Sequence, residues 1–96
     1  MSSHHAKLIR AIFEDPPSHN IAWRDVESLL RHVGAEIEPL SGARFRVSKQ
    51  HMEAILYRPH HHQHTLDKPG LLHLRGFLAR AGVTPSLYEA GDAAGH

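Results

Sequence analysis

The chain has 96 residues, with eleven Lys+Arg against ten Asp+Glu, eleven histidines, 41% apolar residues and no cysteine. Such a length holds one domain and buries about 60–65% of the unfolded surface. The composition argues against a disordered or fibrous chain, the missing cysteines exclude a disulfide scaffold or thiolate zinc finger, and the near-neutral balance is unlike a protein whose whole surface grips nucleic acid.

The first predicted helix runs from about residue 6 to 13. Ile9, Ile12 and Phe13 fall on one face, and Asp15-Pro16-Pro17 ends it, because a residue before proline is pushed out of the α region. After a connector over 18–22 comes a second helix. Trp23, Val26, Leu29, Leu30 and Val33 repeat at helical spacing and form a core-facing stripe. That phase makes Trp23 a core residue rather than a base-stacking one. Asp25 and Glu27 suit the positive end of this helix, Arg31 and His32 its negative end, and Gly34 its left-handed stop.

From Ala35 the period changes to two, and strands are predicted over 35–39, 43–47 and about 51–58. A loop Leu40-Ser41-Gly42, with glycine third, fits a type I turn plus bulge. That register faces Ala43, Phe45 and Val47 inward and sets Glu38 opposite Arg44 and Glu36 opposite Arg46 outside. A second loop over 48–51 faces Met52, Ala54 and Leu56 inward and Glu53, Ile55 and Tyr57 outward. Tyr57, at an exposed strand end, is the better candidate for stacking or partner contact.

Residues 58–65 are histidine-rich loop. Asp67 is placed to cap a last helix whose stripe is Leu71, Leu74, Phe77, Leu78 and Ala81, stopped by Gly82 and Pro85. One more turn is expected around 86–89, and residues 1–5 and 90–96 are expected to fray. The order α-α-β-β-β-α predicts an α+β fold: a two-layer sandwich with helices on one face of a three-stranded antiparallel sheet and the other face wet.

No apolar run approaches the roughly 18 residues of a membrane span, and no signal-peptide apolar stretch stands at the start, so a cytoplasmic location without membrane contact is expected. Arginine outnumbers lysine eight to three, a bias suited to bidentate phosphate contact. The histidines add a charge that rises as pH falls below about 6.5.

The run Trp23-Arg24-Asp25-Val26-Glu27-Ser28-Leu29-Leu30, then Gly34-Ala35-Glu36 and the arginine-bearing hairpin, resembles the HicA family of toxins. So do Arg58-Pro59-His60, Asp67-Lys68 and the closing run Phe77-Leu78-Ala79-Arg80-Ala81-Gly82-Val83-Thr84-Pro85. The similarity covers about 22–85. It implies a fold like the double-stranded RNA-binding domain, cleavage of messenger RNA, and silencing by a HicB-like antitoxin. The family's catalytic histidine lies in a Gly-Ser-His-type motif on the second strand. Anchored on Arg44-Phe45, that motif falls on Leu40-Ser41-Gly42-Ala43, with Gly42 in the histidine's place.

Metal-independent RNA cleavage needs a base for the 2′-hydroxyl, an acid for the leaving oxygen and cations for the developing charge. His60, flanked by Arg58, is the candidate catalytic residue. Lys68 opens the last helix, whose amides favour phosphate. Arg44, Arg46 and Lys49 complete the RNA-binding set with Arg58 and Lys68. The plainer reading leaves His60–His64 as exposed loop and ties Arg44 and Arg46 to Glu38 and Glu36 in weak surface ion pairs. His60, His62 and His64 alternate, but with no HExxH pattern or cysteine pair only adventitious metal affinity is expected, and no cofactor. Two alternatives stand beside the toxin: a non-catalytic RNA- or protein-binding module of the same fold, and a metal- or pH-responsive interaction protein built on the histidine loop.

Overall fold

Three amphipathic segments become helices in the computed structural model, which describes residues 3–15, 21–59 and 64–88. They are α1 (Ser3–Ile12), α2 (Trp23–His32) and α3 (Lys68–Arg80), with β1 (Glu36–Pro39), β2 (Arg44–Lys49) and β3 (Met52–Tyr57) between α2 and α3. The order is the one the periodicity predicts. The Pro16-Pro17 stop, residues 60–63 with His60, and the tail over 90–96 lie outside the described residues.

Helices α2 and α3 end as their glycines require. Ala35 donates its N–H to Leu30 and Gly34 to Arg31, with Gly34 at φ +87°. Val83 and Gly82 repeat the pattern onto Leu78 and Ala79. In each case the residue after glycine is buried, as a Schellman ending favours. At the other end of α3, Asp67 accepts the Gly70 N–H at 2.9 Å, the predicted cap. Arg75 of α3 reaches the end of α1, donating to the carbonyls of Ile12 at 3.1 Å and Glu14 at 2.6 Å, where a cation suits the helix dipole.

The sheet is antiparallel in the order β1-β2-β3. Val47, Ala54 and Leu56 are buried against Val26, Leu29 and Leu30 of α2 and Leu71, Leu74, Phe77 and Leu78 of α3, with Ile37 and Phe45 partly buried beside them. Leu8, Ile9 and Ile12 of α1 join the same core. Trp23 is buried with its ring 5.4 Å from that of Phe45, a core role. The opposite sheet face carries Glu36, Glu38, Arg44 and Glu53 in the open. This is the α+β sandwich expected, with helices on one sheet face.

The first hairpin corrects the expected register. Glu38 stands opposite Arg46, not Arg44, and Glu36 opposite Ser48, not Arg46. The reason is the loop: Leu40 donates to Arg44 at 2.9 Å, leaving Ser41-Gly42-Ala43 between them. Sliding the loop by one residue moves every pair by two, so each side chain keeps its face and only its partner changes. The second hairpin is tighter than expected. Lys49 pairs with Met52 around a two-residue turn, Gln50-His51, both at positive φ.

The first helix begins earlier than the spacing predicts and takes in His4 and His5. His5 Nε2 lies 2.9 Å from Ser28 Oγ of α2, and its ring stacks on His32 at 4.3 Å. His32 Nε2 lies 2.8 Å from the Tyr88 hydroxyl.

Candidate nucleic-acid interface

The end of the sheet that carries the Ser41–Ala43 loop also carries the end of β3. Arg44 is paired with Tyr57, and the Arg58 N–H reaches the Ala43 carbonyl at 2.8 Å. Arg44 and Arg58 therefore leave one end of the sheet, next to the point where the histidine segment departs. Their side chains diverge. Arg44 lies on the open face, its guanidinium held by the Ser41 hydroxyl at 2.7 Å and the Ser41 carbonyl at 3.2 Å. Arg58 turns toward the helices, 5.6 Å from the Phe45 ring centroid.

After the histidine segment the chain is pinned again. Trp23 donates to the His64 carbonyl and Leu66 to the Ile21 carbonyl, each at 2.9 Å. The segment from Thr65 to α3 then runs beside β3 and leaves an open cleft of about 450 Å³. Tyr57, Arg58, Thr65, Asp67, Gly70 and His73 are among its walls. Lys68 stands exposed at the first position of α3, between cleft-lining residues Asp67 and Pro69.

The remaining cations fall elsewhere. Arg46 lies farther along the open face, and both its Nε and Nη2 donate to Glu38. The Glu38 carboxylate holds the Arg46 guanidinium above its usual pKa range, with Glu53 adding a smaller effect. Lys49 sits at the far end of β2, five residues from Arg44 or roughly 17 Å at strand spacing, and its odd position puts it on the Phe45 face. The structure thus brings Arg44, Arg58 and the start of α3 to one end of the fold and leaves Lys49 at the other. His60 lies outside the described residues.

The start of α3 is less open to an anion than its sequence suggests. Asp67 already takes the Gly70 N–H, Pro69 has none, and the Leu71 N–H returns to the Asp67 carbonyl. Gly42 has φ +70° and open space around its missing Cβ, so a histidine there is opposed by the backbone and not by crowding. His73 is a cleft residue that composition did not single out. Its signal is helical spacing, since Pro69, Gly70 and His73 recur at i, i+1 and i+4 beside the apolar stripe.

No family model, curated protein or solved structure matches the chain. Among the described residues no group of three or more His, Cys, Asp or Glu side chains is placed to hold a metal ion. No described helix is long and apolar enough to cross a membrane.

Proposed function

We propose that the chain is a HicA-like toxin of the cytoplasm, a domain like the double-stranded RNA-binding domain that grips RNA, cleaves messenger RNA and is neutralised by a HicB-like antitoxin. The observation that carries this reading is that strand pairing sets Arg44, Tyr57 and Arg58 at one end of the sheet, Arg44 on its open face and Arg58 on the helix side, where the chain runs on toward His60. Guanidinium groups there take phosphate in a bidentate manner, and exposed Tyr57 offers a ring to an unstacked base. His60, two residues beyond Arg58, supplies the proton transfers, and Arg58 steadies the charge on the phosphorane. Lys68 adds a cation beside the cleft. Arg46 joins once RNA displaces Glu38. Lys49 has no part in this binding surface.

A second reading is favoured by one specific observation. The position that aligns with the family's catalytic histidine is Gly42, in a backbone conformation that L side chains rarely adopt. Under that reading the chain is a non-catalytic RNA- or protein-binding module. Purified protein incubated with RNA in chelator, followed against pH, separates the two. Cleavage that disappears in His60→Ala while RNA affinity stays supports the toxin. Binding with unchanged RNA at every pH leaves the module.

A further inference from the structure

The two edges of the sheet are built differently. Hydrogen bonds in an antiparallel pair alternate along each strand, and the Leu40–Arg44 and Arg58–Ala43 bonds fix the phase. On β1, Glu36, Glu38 and Leu40 turn their backbone groups to β2, which leaves Ile37 and Pro39 on the free edge. Pro39 has no N–H, and β1 is only four residues long, two of them acidic. Short length, proline and charge are the usual protections of an edge strand. On β3, Met52, Ala54, Leu56 and Arg58 bond to β2, which leaves Glu53, Ile55 and Tyr57 with backbone N–H and C=O groups directed away from the sheet. No hydrogen bond to those outward groups occurs among the described residues. Three donors and three acceptors thus stand open over about 13 Å, with no proline or bulge to interrupt them.

Ile55 and Tyr57 of this open edge line one wall of the cleft, and the segment from Thr65 into the first turns of α3 lines the other. A single extended chain fits between a strand edge and a helix, where main-chain bonds give affinity and alternate side chains give selectivity. Charge at the mouth favours one kind of side chain. Arg58 makes no ion pair among the described residues and Lys68 stands exposed nearby, two cations beside the single carboxylate of Asp67, one oxygen of which caps the Gly70 N–H.

We propose that the β3 edge is a docking site for an extended segment of a partner protein, which adds as a fourth strand and sets an acidic side chain against Arg58. The inference deepens the partner half of the proposed function and rests on it only for which protein carries the segment. An acid on Arg58 also takes a cation that RNA would use, so strand addition and RNA binding compete.

The test pans the full chain against displayed random peptides of about ten residues and maps the captured ones by amide hydrogen exchange. Captured sequences are expected to alternate apolar with acidic residues and to protect the Ile55 and Tyr57 amides. Affinity is expected to fall about tenfold in Ile55→Pro, which removes one outward donor and no β2–β3 bond, and similarly in Arg58→Glu, which leaves the edge intact. Capture of no peptide, peptides that leave those amides exchanging, or undiminished binding to both variants overturns the proposal. So does protection of the same amides by a short RNA or by a second copy of the chain. Each failure leaves RNA binding at Arg44 standing, because that affinity is measured separately with Arg44→Gln.

Discussion

Arg46 directs two nitrogens to a single oxygen of Glu38, Nη2 at 2.7 Å and Nε at 3.0 Å, across the β1–β2 pair. Both side chains are well exposed, so water screens the pair and it adds little to folding. Its larger effect is on what the open face offers a polyanion. Glu38→Gln is expected to leave the thermal midpoint within a few degrees of wild type while tightening RNA binding about two- to tenfold at low salt, since a like charge to phosphate is removed. Parallel thermal melts and RNA titrations check both halves.

The β2–β3 turn is an unoptimised element. Gln50 and His51 hold φ +51° and +70°, conformations that Asn-Gly adopts more readily in a two-residue hairpin. Gln50→Asn with His51→Gly is expected to stabilise the fold by about 1 kcal/mol, read by denaturant unfolding.

The cap of α3 fits only around glycine. A Cβ on Gly70 would lie 2.9 Å from Asp67 Oδ1, so Gly70→Ala displaces the carboxylate that caps the helix. Asp67→Ala is expected to cost about 1 kcal/mol. Gly70→Ala is expected to cost less once Asp67 is already alanine, a non-additivity that a double-mutant cycle reads directly.

The α1–α2 contact is sensitive to protons. Burial is the largest of the effects that hold His5 below the usual histidine value of 6.5, followed by the charges of His32 and His4, with Asp25 opposing them. Geometry gives the same direction, since His5 Nδ1 is buried with no hydrogen-bond partner among the described residues and its ring is stacked on His32, itself bonded to Tyr88. Below 6.5 the unfolded chain binds the His5 proton more readily than the folded one, so stability is full above that pH and falls as pH drops toward the lowered folded value. His5→Phe keeps a ring on His32 and removes one titrating group. It is expected to flatten the loss of stability between neutral and mildly acid pH, as followed by denaturant unfolding at several pH values.

Much of the fold was legible because glycine, proline and apolar spacing act locally. Gly34 and Gly82 stop their helices where the sequence puts them, and Asp67 caps α3 as its position implies. The inward faces were legible for the same reason, and Val47, Ala54 and Leu56 all lie in the core, whereas Met52, expected inward with them, is exposed at the start of β3 beside the turn. Partners were harder to read. A one-residue slide of the Gly42 loop changes every cross-strand pair while sparing the pattern of faces, so hydropathy cannot detect it. The His5–His32 stack joins residues 27 apart and depends on how two helices meet, which no local pattern encodes. His73 enters the cleft only because β3 and α3 are brought together, and the free β3 edge follows from a hydrogen-bond phase that the slid loop also sets.

RNA binding at the Arg44–Arg58 end of the sheet is tested most directly by the salt dependence of affinity for a single-stranded RNA. Glutamine at Arg44 or at Arg58 is expected to weaken binding and to lower the slope of log K against log salt by about 0.7 each, one phosphate contact apiece. Lys49→Gln, at the other end of β2, is expected to leave the slope unchanged. A slope that falls at Lys49 but not at Arg44 and Arg58, or an affinity for RNA too weak to measure at low salt, contradicts the proposed interface.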